Sequence, residues 1–434
     1  MEITRGIEPL PGPSQLRRFY ATFLLALVFM LAAADRNILS ILLVPIQRSL
    51  RASDTAMGAL TGAAFSIVYA SAALPLARFA DRGHRRNLLA AAVTLWSLMT
   101  ASCGFASSYA LLLVARIGVA LGEAAATPAI MSLIGDLHPR RRRGLALACV
   151  TIGTALGVGA GAFLAGAVND LYGWRAAFLA LGFPGLVVAA LLVATLKEPL
   201  RGQFDGGAGA PEQGDSTWEG LKYLWRVPTI RRLLLAQLFF QTASLGFTAW
   251  APAFFMRVHG LTTTQMSLGF GVAVSLASII SQLAGGVLGD RLALRGEAAR
   301  AKYCAVSILA GAPCMLLTAL APTTAAAFTG LFLSALISGG AIGAALALGI
   351  AVVHHNRRGL VSALVALCTL VVGGSLGPLA MGALNDILKP TFGAQAIRYS
   401  LMLPPILFLL AGLAFIAVAR TADDDAAFAV RPAA

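Results

Sequence analysis

Charge is what this sequence lacks. Of 434 residues only 12% are Asp, Glu, Lys or Arg, while 58% are hydrophobic and the mean hydropathy is +0.80. An ordinary soluble domain carries about 25% charged residues. A chain so poor in charge cannot clothe a water-facing surface, which excludes a soluble globular fold and leaves lipid as the solvent. Lysine is scarcer still, with 4 against 29 arginines. The net charge of +14 could suggest nucleic acid. The basic residues, however, sit in short segments between apolar runs, where membrane topology accounts for them, so no nucleic-acid partner is expected. Cysteine is sparse as well: Cys103, Cys149, Cys304, Cys314 and Cys368 all fall inside apolar runs. With no CxxC pair and no Cys/His cluster, neither disulfides nor a metal site are expected. Nucleophile–base pairs and phosphate-cradling loops are missing too. That argues against an enzyme, leaves no catalytic residue or cofactor to assign, and requires any pumping to draw on a gradient.

What is present is a succession of long apolar runs. A helix needs about 20 apolar residues to cross the hydrocarbon core. Twelve runs qualify, at roughly 19–44, 55–77, 88–106, 109–134, 144–168, 175–196, 233–256, 263–288, 302–320, 324–353, 359–386 and 399–419. The first has full spanning length and no cleavage pattern, so it is expected to stay as the first helix. The two tails and the even-numbered loops hold 25 Lys and Arg, the odd-numbered loops 6. This bias predicts a multi-pass inner-membrane protein with both termini in the cytoplasm.

The longest loop divides the runs six and six. The expected organisation is a bundle at 1–196, a linker at 197–232 and a second bundle with its tail at 233–434. Within the linker, the Gly-rich DGGAGAPEQGD reads as flexible. TWEGLKYLWR reads as a short interfacial helix with Trp218, Leu221 and Trp225 on one side. Internal repeats support the division. GAVND (Gly166 to Asp170) returns as GALND (Gly382 to Asp386), and FADR is echoed by LGDR, ending at Asp290 and Arg291. Six runs per half is an even number, so the halves are parallel repeats, and such carriers place their site between them. The expected fold is an all-α membrane protein of 12 transmembrane helices in two pseudo-symmetric six-helix bundles.

Specific motifs add a family. ARFADRGHRRNLL, after the second run, resembles the signature loop of the major facilitator superfamily, with Asp81, Arg85 and Arg86 in place. Ala77 stands where that loop usually has its first Gly, and Gly83 comes one place early. AADRNILS, SAALPLARFADR, ARIGVALGEAAATPA, GWRAAF and LKEPLRG resemble the Spinster branch of that superfamily. FTAWAPAFFMR and GGVLGDR extend the likeness into the second half. The resemblance implies the major facilitator fold, alternating access, a monomer, and a lysolipid or sphingolipid as cargo. It also implies that Asp81 is a cytoplasmic gate element meeting the eleventh helix, with Arg85 and Asp290 beside it; Arg85 and Arg86 read equally as ordinary topological charges.

Only four Asp, Glu, Lys or Arg residues lie well inside the runs: Asp35, Arg36, Arg116 and Glu123. A charge at mid-membrane costs at least ~2.5–3.5 kcal/mol, so each is a candidate functional residue. Arg116 and Glu123, seven apart, share one helix face, and Thr127 continues the stripe. Asp35 comes at a depth between Arg116 and Glu123 if the first and fourth helices pack together. A carboxylate that can move between a guanidinium and a second carboxylate can act as a proton switch, which assigns proton coupling to Asp35, Glu123 and Arg116. The same cluster could instead be a fixed salt-bridge lock between two helices. The four charges sum to zero, so one bound proton leaves the pocket positive and suited to an anionic head group on Arg36 or Arg116. Arg36 could equally do no more than neutralise Asp35. The second half carries no mid-run charge and offers aromatics, of which Phe247 and Trp250 are expected to meet an apolar tail. The partners expected are therefore protons, an amphipathic lipid-like substrate and the bilayer. A proton-linked carrier of drugs or small organic anions, or a transport-dead scaffold, remains open at this stage.

Overall fold

The computed structural model describes residues 14–201, 204, 217–354 and 357–430. It is helical throughout, with no strand among the described residues. Ten helical runs are long and apolar enough to cross a membrane. The last of them, Arg358–Ala419, turns back at Gly393 (φ 55°) and so supplies two spans. Arg85–Cys103, less apolar because two arginines open it, packs in the first bundle and makes the twelfth. We number the spans α1 (Gln15–Leu50), α2 (Asp54–Ala80), α3 (Arg85–Cys103), α4 (Tyr109–Leu137), α5 (Arg140–Tyr172) and α6 (Trp174–Thr195). The second bundle holds α7 (Pro228–Val258), α8 (Thr263–Ala293), α9 (Glu297–Leu320), α10 (Thr324–Ala351), α11 (residues 358–392) and α12 (Leu403–Ala419).

Helix ends follow local chemistry. Ser53, Ser108 and Thr323 accept backbone N–H groups at the starts of α2, α4 and α10, and Thr262 with Gln265 forms a reciprocal cap on α8. Several expected boundaries move by a few residues, two of them at prolines. Helix α1 continues through Pro45 to Leu50, and α7 begins at Pro228, a residue suited to a first helical turn because it has no N–H to leave unsatisfied. The linker does contain a helix, Thr217–Arg226, with Trp218 and Trp225 exposed and Leu224 buried against Val353 and Val361. The Gly-rich stretch before it lies outside the described residues.

Packing shows how the halves meet. One apolar core runs through both bundles: it holds Leu42 and Phe178 of the first, on the face away from the termini, and in the second extends from Phe254 on that face to Leu348 near the termini. A second core, around Trp96, Ile130 and Leu133, is built from the first bundle, with Leu370 of α11 packed against it. Small residues permit the close crossings. A β-carbon on Gly62 of α2 would meet the carbonyl of Gly374 in α11, and one on Gly166 of α5 would meet Ser267 of α8.

Candidate functional site: a buried charge cluster and an interbundle latch

Helices α1, α3 and α4 bring the four mid-membrane charges together. Arg36 donates from Nε to Glu123 Oε2 at 2.6 Å, joining α1 to α4. Glu123 has no exposed side-chain surface, whereas the Arg36 side chain keeps 37%. Arg36 is thus the member of the cluster that an incoming molecule can touch. Its guanidinium also stands 5.6 Å from the Tyr69 ring centre, and Tyr69 hydroxyl lies 3.2 Å from Thr127 Oγ1. Thr127 therefore belongs to this polar patch, through Tyr69.

Asp35 and Arg116 do not form a carboxylate–guanidinium bond. Arg116 reaches the Asp35 backbone carbonyl with Nη1 at 3.3 Å and lies 5.5 Å from the Phe65 ring centre. Its Nε has no hydrogen-bond partner, and neither have Asp35 Oδ1 and Glu123 Oε1. Thr100 of α3 is the neutral polar neighbour of the Asp35 carboxyl. The cluster is thus under-bonded: each carboxylate keeps one enclosed oxygen without a donor. Such groups are costly when buried, and they mark a place where a proton or a ligand can add a bond. The chain also loosens next to Glu123. Pro128 has no N–H to give Ala124, and α4 is interrupted by a turn at Ala125, directly after the turn that carries Glu123.

The other expected site residues are placed differently. Arg85, expected at a gate, is buried inside the first bundle. There it bonds Glu198 at 2.7 Å, Ser132 and Asp136, and so ties α3 to α4 and to the start of the linker. It does not reach the second bundle. Asp290 is exposed and lies 3.6 Å from Arg300 of its own bundle. The Asp81 side chain lies outside the described ones. Phe247 and Trp250 line no accessible surface, being 2% and 0% exposed. Trp250 donates from Nε1 to Pro378 O at 2.9 Å, joining α7 to α11 within the second bundle, and stands 5.6 Å from the guanidinium of Arg257, which reaches across to the first bundle.

The seal between bundles is the functional element the sequence reading missed. On the face away from the termini, Arg257 of α7 makes two bonds to the Asp54 carboxylate of α2, at 2.7 and 2.8 Å, and a third to Gln47 of α1 at 2.6 Å. The repeated ND motifs flank it. Asp386, ending GALND, accepts from the backbone N–H of Asp54 (3.0 Å) and Thr55 (2.7 Å) and from the Thr55 hydroxyl (2.7 Å). Asp170, ending GAVND, accepts from the backbone N–H of Thr264 at 2.7 Å, and its neighbour Asn169 bonds Thr263 at 2.9 Å. Each motif places a carboxylate on the N-terminus of a helix in the opposite half: α11 onto α2, and α5 onto α8. Helix N-termini hold unsatisfied N–H groups and partial positive charge, so a carboxylate is their natural partner. Among the described residues, the hydrogen bonds between halves lie at this face or, as with Ser275 Oγ to Ala155 O (3.1 Å), deeper along α5 and α8. The structure is closed on this side. Two signals could have found the latch: Arg257 is one of few basic residues on the Arg-poor side, and the repeat ended both times in Asp.

Comparison with known proteins agrees with this architecture. Residues 25–378 match the model of the Major Facilitator Superfamily. An MFS-type efflux pump of Mycolicibacterium smegmatis is 32% identical over 389 residues, covering 89% of this chain and 89% of that protein. A sphingosine-1-phosphate transporter of Danio rerio is 25% identical over 415 residues, covering 90% and 82%. Among solved structures, a bacterial homologue of the human lysosomal transporter Spinster, inward-facing and unoccupied, superposes with a TM-score of 0.86 at 26% identity. That likeness covers 95% of this chain and 99% of the other. With twelve spans in two bundles and a charge cluster buried in the first, the chain belongs to the major facilitator superfamily and is a Spinster-like transporter.

Proposed function

We propose that the protein is a proton-coupled secondary transporter, acting as a monomer in a bacterial inner membrane with both termini in the cytoplasm. Its cargo is an amphipathic anion of the lysophospholipid or sphingolipid kind. The observation that carries this reading is the Arg36–Glu123 pair, a partly exposed guanidinium held by a fully enclosed carboxylate. An anionic head group arriving at Arg36 competes with Glu123 for the charge of one guanidinium, which gives Glu123 only its Nε–H. Once released, Glu123 would be an enclosed charge without a cation, a state costing several kcal/mol that a proton removes. A bound anion and a bound proton therefore favour each other, and by linkage each raises the affinity for the other equally. Asp35, with its donor-less Oδ1, is the second proton acceptor, and Arg116 positions it through the backbone. The similarity to a sphingosine-1-phosphate transporter supports a phosphate-bearing lipid as cargo. So does the contrast between a charged first bundle and a second bundle without mid-span charge.

The test is transport by proteoliposomes offered lysolipids, sphingolipids and cationic amphiphiles under an imposed pH gradient, paired with binding measured across pH. Wild-type protein should bind a lysophospholipid more tightly as pH falls. Glu123→Gln, which mimics the protonated carboxyl, should bind as the low-pH form does at every pH. An unchanged pH dependence in Glu123→Gln, with no proton movement accompanying cargo, would refute the coupling. The efflux pump at 32% identity favours one second reading, a proton-linked carrier of drugs or small organic anions. Transport of cationic amphiphiles in preference to lysolipids would establish that instead.

A further inference from the structure

The molecule holds a groove of about 790 Å³ between α1 and α5, near the face that carries the termini and away from the charge cluster. We propose that it holds one anionic phospholipid of the bilayer, with the phosphate between Arg18 and Arg142 and an acyl chain along the two helices.

The location of the groove comes from the stripes of α5. Gly153, Gly157 and Gly161 pack on α1, where their β-carbons would meet Ala26, Met30 and Ala34. Ala155 and Gly159 face Ser275 of α8. The groove is lined by a third stripe, Leu145, Cys149, Ile152 and Leu156, which lies on neither contact face. Seven residues beyond Leu156 the same stripe reaches Phe163, which is exposed although the halves are closed together at that level. This stripe therefore faces outward to lipid, not inward to the central cavity. Phe19 and Phe23 of α1, both exposed, form the opposite wall. The groove runs on α1 from Leu16 to Met30, ~21 Å along the axis, which suits a chain of one bilayer leaflet.

Among the described residues, the polar end of the groove is positively charged and faces no carboxylate. Arg18, Arg142 and His138 meet there. Burial, with the Arg18 and Arg142 guanidiniums beside it, holds the His138 imidazole below its ordinary value. Thr22 hydroxyl, 2.7 Å from His138 Nε2, fixes that ring. Arg18 stacks 4.9 Å from the Phe204 ring centre, which holds its side chain at the mouth, and its Nε is enclosed with no hydrogen-bond partner. Two guanidiniums, planar and able to give paired N–H bonds, call for a phosphate. An apolar channel opening directly from them to lipid makes that phosphate a lipid's.

The experiment is native mass spectrometry of the full chain, released from detergent after titration with phosphatidylglycerol or with phosphatidylcholine of the same acyl chains. Wild type should retain one phosphatidylglycerol in preference to phosphatidylcholine. The double variant Arg18→Gln/Arg142→Gln should lose that preference by about ten-fold, the loss expected for one charge-assisted contact pair. Arg291→Gln/Arg295→Gln removes the same charge from exposed positions at the same face and should leave retention unchanged, as should Arg36→Ala at the central cluster. Ile152→Trp, filling the channel without touching a charge, should also weaken retention. Wild-type retention in Arg18→Gln/Arg142→Gln, equal loss in the Arg291/Arg295 control, or displacement of the lipid by inorganic phosphate alone would each overturn the assignment.

Discussion

Replacing Asp386 by Ala should open the face away from the termini, and the size of the effect can be worked out from the latch. The carboxylate accepts three hydrogen bonds from the first turn of α2, two of them from backbone N–H groups at 2.7 and 3.0 Å. All three cross between bundles, so they exist only while that face is closed; once it opens, water solvates both sides. Removing an N-terminal cap of this kind costs ~0.5–2 kcal/mol. Because the contact is absent from the open state, nearly all of that cost falls on the closed state, and ~1–2 kcal/mol shifts the balance by about 5–30-fold. Asp386→Asn keeps an acceptor but loses the charge facing the helix end, worth ~0.3–1 kcal/mol, so it should shift the balance less. Asp170 makes the matching contact with Thr264 of α8 and shares no partner with Asp386, so the two alanine variants should add. The assay is a pulsed spin–spin distance between labels at Arg48 and Gln395, both exposed on that face, in a cysteine-free background. A longer-distance population should grow in the order wild type, Asp386→Asn, Asp386→Ala, then the double variant with Asp170→Ala. Superimposable distance distributions in all four would refute the idea that these caps hold the face shut.

Other expected outcomes test the rest of the seal and the cluster. Arg257→Lys keeps the charge but cannot reproduce the paired bonds to Asp54 with the third to Gln47, so it should also lengthen the Arg48–Gln395 distance, as Arg257→Ala does more strongly. Gly62→Val places side-chain atoms against the Gly374 carbonyl and should open the same face while preserving folded, monodisperse protein, as read by size-exclusion chromatography. Asp35→Asn should abolish the pH response of label distances across the terminal face; an intact response in both Asp35→Asn and Glu123→Gln would remove the proton switch and leave a fixed lock between α1 and α4. Arg36→Lys should weaken lysophospholipid binding by about ten-fold, and Arg36→Ala by more, with a tail-matched cationic amphiphile unaffected; titration calorimetry in detergent decides it.

The fold was legible because lipid imposes one rule on every spanning segment: internal hydrogen bonds and an apolar exterior. Twelve apolar runs and a loop bias in Arg therefore sufficed for the helices. Their ends moved by a few residues, at α1 and α7 because Pro45 and Pro228 behaved as helix residues instead of stops. The charge cluster was legible for the same reason, since four ionisable residues in apolar runs stand out. Which of them pair was not. Two adjacent residues on α1, Asp35 and Arg36, point about 100° apart, and only the packing of α1 on α4 decides that Arg36 meets Glu123 while Asp35 keeps a bare oxygen.

The latch stayed hidden for a different reason. Its partners are 331 residues apart in sequence in one case, Thr55 and Asp386, and much of its chemistry is backbone. A backbone N–H is present at every non-proline residue, so no residue pattern announces which one a carboxylate will cap. The repeat did carry the information, in a form that asks to be read across the pseudo-symmetry. If GAVND and GALND end equivalent helices, and each ends in Asp, then whatever the first Asp caps in the second half, the second Asp should cap in the first. Helices α8 and α2 occupy those equivalent places, and both begin with a Ser or Thr cap that leaves further N–H groups free. Trp250 follows from the same geometry. Its position near the C-terminal end of α7, seven residues before Arg257, puts it two turns from the latch and against Pro378 of α11. Its indole ties α7 to α11 within the second bundle and so braces, from behind, the helix that carries Arg257.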